Sequence, residues 1–302
     1  MPLCAVSVDL DEVHHYRALH GLPVSAGVHA VYDVALARMG QFAAQLGIPL
    51  TLFAVASDLG RAENAQSLRT MLADGHELGN HSLDHLYDLT LRDAAEQRHQ
   101  VEGANARFSD VLGVRPVGFR APGYTVSDEL LAIVRGCGMA YDSSVFPCPP
   151  YYAAKAAALL GMKVRGKRSR SVLDSPNVLR APTRPYRVGE PYWSAGTGIL
   201  ELPIQVAGHL RMPFIGTMLT LVGPNGARLL TRSVVGHPLV NLELHGIDFL
   251  DAQDVPSDLA RAQLDLRVPW ARKREALAAV VELLRVERYA FVRLDEAARA
   301  FA

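Results

Sequence analysis

Cysteine is scarce. The 302 residues hold three, Cys4, Cys137 and Cys148, and no CxxC pair. That argues against a disulfide framework and a thiolate zinc cluster, and leaves buried free thiols in a reducing compartment. Neither sign of charge is in excess. Lys+Arg and Asp+Glu number 31 each, so the net charge is zero and gives no reason to expect nucleic acid. No apolar run approaches the roughly 18 residues of a membrane span. No basic stretch followed by an apolar one opens the chain, so an export signal is not expected and the expected compartment is the cytoplasm. Short-period repeats and low-complexity segments are also missing. Hydrophobic residues, by contrast, make up 49% and charged ones 21%, enough apolar material for a large core and too little charge for disorder.

Short apolar runs rich in Val, Leu, Ile and Phe read as strands at residues 5–8, 50–55, 77–80, 117–119, 140–142, 200–203, 239–244 and 290–292. Helical patterns lie among them at 29–46, 64–74, 91–112, 127–136 and 271–286. Ser127 is a candidate N-cap, with Glu129 in the first turn. Repeated strand-then-helix predicts an α/β fold with a parallel sheet or barrel, and the length suits one domain over residues 1–302. The pattern weakens over 147–194, which is rich in Pro, Tyr and basic residues and reads as an inserted loop region.

In such folds chemistry gathers where strands end. The first strand runs into "SVDLDE", placing Asp9 and Asp11 at the end of an apolar run, where carboxylates are costly unless paired or metal-bound. After "HELGN" come His81 and His85, after "VGF" Arg120, after "MAY" Asp142, and after "LVNLEL" His245. His81 and His85 are four apart, and on a helical turn they would face one side. Two His and a carboxylate suit a catalytic metal site with positions left open for water. A structural polar cluster is the alternative at this point.

These stretches together resemble the polysaccharide deacetylase family, carbohydrate esterase family four. The likeness rests on the Asp pair, "HELGNHSLDH", "GFRAPGY", "YDSS", "LELHG" and the closing "FVRLDEAARAF", in that order. It implies a distorted (β/α) barrel of about seven repeats and hydrolysis of an N-acyl group, N-acetyl first, from an amino sugar. It implies one divalent metal ion, zinc first, with cobalt, nickel, iron or manganese as alternatives. Asp11, His81 and His85 would be the ligands. Asp9 would be the base that activates the attacking water, Arg120 would hold Asp9 ionised, and His245 would be the general acid. The backbone N–H of Gly123 would support the oxyanion beside Tyr124, and Leu242 and Leu244 would wall the pocket for the acyl methyl. Most members begin with adjacent aspartates followed by Gly. Here Leu10 separates them, as in a spaced Asp-x-Asp subset acting on peptidoglycan-like, lipid-linked or small amide substrates. N-deformylation of a lipid-linked aminosugar, hydrolysis of a non-sugar amide or cyclic imide, and noncatalytic carbohydrate binding remain as alternatives.

Some residues stay outside that scheme. His14 and His15 read as ordinary loop residues. Glu201 and Asp142 are the two candidates for an acidic partner of His245. Residues 163–170 hold five basic residues in eight, and 209–222 are nearly all apolar. A solvated loop and a core segment explain them; together they would also suit a phosphate, a lipid tail and peripheral contact with a membrane surface.

Overall fold

A computed structural model of the chain describes residues 1–23, 27–164, 166 and 171–302. Most of the basic stretch 163–170 therefore lies outside the described residues.

The first strand, β1 (Leu3–Asp9), is buried from Cys4 onward and organises the sheet. It leads into α1 (Val13–Leu19), then α2 (Leu36–Leu46), β2 (Leu50–Ala54), α3 (Ala62–Ala73), β3 (Glu77–Asn80) and α4 (Ala94–Leu112). There follow β4 (Gly118–Phe119), α5 (Asp128–Gly136), β5 (Tyr141–Asp142), α6 (Pro149–Val164), β6 (Tyr186–Val188) and β7 (Ala195–Glu201). A small hairpin, β8 (Val206–Ala207) and β9 (Met212–Pro213), precedes α7 (Gly216–Arg232) and β10 (Leu239–His245). The chain closes with α8 (Ser257–Ala262), α9 (Trp270–Val286), β11 (Ala290–Phe291) and α10 (Leu294–Phe301).

The main sheet runs β10-β1-β2-β3-β4-β5-β7-β6, with β11 also beside β1. All neighbours are parallel except β6 and β7. This is the expected distorted barrel, curled like a half-barrel and not closed. Its register matters for the site. Asp9 pairs with His245 on one side and Phe53 on the other, and Asn80, Phe119 and Asp142 continue the same rim. The residues after each strand end thus share one edge.

Local signals explain where the helices begin and stop. Asp93 caps α4 by accepting from the N–H of Glu96, and Gly113 ends it at φ 70. Ser127 caps α5 as expected, accepting from the N–H of Leu130. In β4, a Cβ on Gly118 would fall 2.0 Å from the Tyr141 ring, so this strand can approach β5 only as glycine. Period-two alternation divides β1 and β10 between two environments. Val6, Val8, Leu242 and Leu244 join the large apolar core. Ser7 instead donates to Asn241, whose amide donates to Ser143 and to the Leu202 carbonyl, making a polar network.

Two expectations change. Residues 147–194 are not all loop, because α6 occupies Pro149–Val164. Pro149 and Pro150 suit a helix start, and the Ala-rich run after them has high helix propensity. None of its residues is fully buried, so it lacks the strong core-facing pattern that marks the other helices. The apolar run 209–222 is β9 and the first half of α7, with Leu221 and Val222 exposed. No helix among the described residues is long and apolar enough to cross a membrane.

Candidate metal and acid–base centre

Asp11 lies two residues beyond β1, and His81 directly follows β3. His85 is carried by the loop after it. The expected helical turn is absent here. Ser82 and His85 have φ of 69° and 54°, and two short bonds hold the loop: the Asn80 side chain accepts from the Ser82 N–H, and Ser82 Oγ accepts from the His85 N–H. This turn brings His85 Nε2 to 3.1 Å and His81 Nε2 to 3.2 Å from one oxygen of Asp11. All three side chains are buried. His81 Nδ1 is 2.8 Å from the Arg120 carbonyl, to which it donates as the Nδ1–H tautomer, leaving the Nε2 lone pair for the cluster.

These donors fit a metal ion. Asp11 Oδ1 and His85 Nε2 are buried and make no hydrogen bond, although they stand within reach of one another. Ligands on one tetrahedral zinc ion stand about 3.4 Å apart, given bond lengths of about 2.0–2.2 Å. Against the upward push of burial, the imidazoles of His85 and His81 hold Asp11 well below the usual carboxylate range.

Asp9 is also buried, and Arg120 spans the sheet to reach it. Arg120 Nη1 donates to Asp9 at 2.7 Å, Nη2 to Ser7 and Ser143, and Nε to the Ser143 carbonyl. Its guanidinium stacks 4.2 Å over the Phe53 ring. The second Asp9 oxygen lies 3.8 Å from His81 Nε2. Asp9 is therefore an oriented carboxylate aimed at the Asp11 cluster.

His245 is the register neighbour of Asp9 on β10. Its Nδ1 is 2.9 Å from Glu243, and its Nε2 is 3.2 Å from the Tyr124 hydroxyl. Burial favours the neutral ring, but Glu243 above all, then Asp9 and Asp11, raises the His245 pKa well above its ordinary value. Glu243 was not among the expected residues. It stands two before His245 on one strand, hence on the same face, and that spacing was a readable signal. The two expected partners are engaged elsewhere. Asp142 accepts from Ser144, Glu201 accepts from the Val145 N–H, and burial with Asp142 close by keeps Glu201 protonated far above its ordinary range.

Leu242 and Leu244 do not wall the site. As immediate neighbours of Glu243 they point to the other face of β10, into the core. Gly123 and Tyr124 do line the cavity, each in the left-handed region, at φ 65° and 61°. For a tyrosine that conformation is strained, and it places the hydroxyl on His245.

The cavity over these groups measures about 500 Å³. Asp9, Asp11 and His245 form its polar floor. Its walls are largely apolar: Leu19 of α1, Tyr151, Leu159 and Met162 of α6, and Met218 and Leu221 of α7. Lys155 adds one cation, donating to the Gly123 carbonyl, with burial lowering its pKa to about 8. Residues from α6 and α7 lacked a readable signal, since nothing local marks a wall.

Residues 35–141 match the family model for polysaccharide deacetylase. No curated protein matches the chain. Solved structures do match in fold. A candidate polysaccharide deacetylase from Mycobacterium smegmatis is similar with a TM-score of 0.61 at 17% identity, over 99% of this chain and 90% of that one. An allantoinase gives 0.57 at 17% identity, over 98% and 89%. A candidate polysaccharide deacetylase from Pseudomonas aeruginosa PAO1 gives 0.55 at 17% identity, over 98% and 89%.

Proposed function

We propose that this chain, whose residues 35–141 match the polysaccharide deacetylase family model, is a metal-dependent hydrolase that removes an N-acyl group, acetyl or formyl, from an amino sugar carried on a lipid. One observation carries the reaction: the Arg120-held Asp9 and the Glu243-held His245, paired on adjoining strands, line the same cavity floor as Asp11 of the Asp11, His81 and His85 cluster.

The roles follow from protonation. Asp11, His81 and His85 would hold the cation, with zinc favoured by the donor set. When bound, such an ion supplies Lewis-acid polarisation of the amide carbonyl and makes water more acidic. Asp9, held in place by Arg120, takes a proton from the attacking water as it adds to the carbonyl carbon. His245, kept cationic by Glu243, gives its Nε2 proton to the departing nitrogen as the C–N bond breaks. Carboxylate and amine are the products. Tyr124 holds His245 Nε2 on line until a substrate nitrogen replaces the phenol. A Gly123 N–H beside the carbonyl oxygen would add to oxyanion stabilisation.

The lipid rests on the walls. A sugar alone asks for hydrogen-bonding walls, whereas most of the residues lining this cavity are aliphatic or aromatic. Leu160, Val164, Leu221 and Val222, on the same two helices as those walls, are exposed. They suit contact with a bilayer surface at the inner face of the membrane. Release of acetate and formate from N-acyl amino sugars, presented free, nucleotide-linked and lipid-linked, tests the whole reading. Turnover of the lipid-linked class above the others supports it. Equal or better turnover of the free or nucleotide-linked sugars removes the lipid, and release only from non-sugar amides removes the sugar.

A further inference from the structure

A second set of donors lies beside the first and has no part in the deacylation. His14 and His15 are the second and third residues of α1, and Asp58 sits in the 3-10 turn Ala56–Gly60 after β2. Strands β1 and β2 are parallel neighbours, so the segments leaving their carboxyl ends meet. One donor atom from each of the three side chains lies within 4.8 Å of the others.

The cluster is built but unsatisfied. His14 Nε2 stands 4.0 Å from Asp58 Oδ1, too far for a hydrogen bond. A shift of a few tenths of an ångström would bring the pair to the roughly 3.4 Å spacing of two ligands on one tetrahedral ion. His15 is 8% exposed, and its Nε2 is buried with no hydrogen-bond partner. Asp58 Oδ2 and the fully enclosed Tyr32 hydroxyl are orphaned in the same way. Arg61, three residues further along the chain, is engaged with Asp33 and Glu63. Among the described residues, the Asp58 carboxylate has one ion-pair contact, the long one to His14.

We infer that His14, His15 and Asp58 form a second divalent-cation site, separate from Asp11, His81 and His85. Two imidazoles and a carboxylate suit a borderline ion, zinc before calcium or magnesium. The two sites are neighbours, for the His15 ring lies 4.4 Å from that of His85. The His14 side chain is 38% exposed and gives the ion a way in from solvent.

The test counts ions. The full chain is stripped with a chelator, titrated with Zn²⁺, and its bound metal measured, with Co²⁺ absorption as a spectroscopic check. The expected result is two equivalents for the native chain. His14→Ala and Asp58→Asn should each bind one, and His81→Ala should keep the second equivalent while losing the first. His14 is partly exposed, so its variant keeps the test valid if Asp58→Asn fails to fold. One equivalent in the native chain, or two that survive both His14→Ala and Asp58→Asn, overturns the inference. Loss of the first site alone leaves it standing, so the two sites fail separately.

Discussion

Replacing Glu243 with Gln removes one charge and almost no volume. Glu243 is fully buried and its carboxylate oxygen is 2.9 Å from His245 Nδ1. With the charge centres about 4 Å apart and an effective dielectric constant of about 20, the lost attraction is about 4 kcal/mol. Relaxation and the remaining carboxylates Asp9 and Asp11 reduce it, so the His245 pKa should fall back toward its ordinary value. The sign follows from the direction of the shift. The native His245 pKa is raised well above its ordinary value, so the protonated acid is present at neutral pH and lost only as the pH rises through that raised value. Glu243→Gln should therefore move the alkaline limb of kcat/KM downward and leave the acid limb in place. At alkaline pH the variant should be slower by about 10-fold or more, and much of the rate should return as the pH is lowered. The assay is acyl release against pH with metal loading held constant. An alkaline limb that stays where the native enzyme has it would refute Glu243 as the partner of His245.

Asp9→Asn should lower kcat by about 10²- to 10⁴-fold while the Asp11 site keeps its ion, measured as metal content and turnover on one sample. His81→Ala should lose both the ion of that site and the activity. Arg120→Met leaves Asp9 buried without its cation, and should cost about 3–5 kcal/mol in denaturant unfolding, less when combined with Asp9→Asn; equal costs in the single and double variants would sink that account. Gly118→Ala forces a methyl into the Tyr141 ring and should destabilise by about 1–3 kcal/mol, with unaltered metal content in the folded fraction.

Much of the centre was legible in advance because its parts are local. A carboxylate at the end of an apolar strand is expensive wherever it lies, so Asp9 and Asp11 announced a partner. His81, Arg120 and His245 follow strands in the same way, and parallel topology sends all such residues to one rim. The alternation of strands and helices carried the fold class. Errors came where an immediate neighbour was taken for a neighbour in space. Leu242 and Leu244 lie beside His245 in the chain but point away from it, whereas Glu243 shares its face.

The amino-acid sequence by itself determined the parallel strands and the rim residues, since hydrophobic period acts over a few positions, but not α1, α6 or α7. Tertiary structure alone decided the rest. Arg120 reaches Asp9 across 111 positions, and Tyr124 meets His245 across 121. Asp58 joins His14 and His15 only because β2 lies beside β1. The apolar walls come from α6 and α7, whose lining side chains look like any surface leucine or methionine until the sheet beneath them places a reactive floor between the two helices. Such contacts are set by how the sheet curls and packs, which no local pattern encodes.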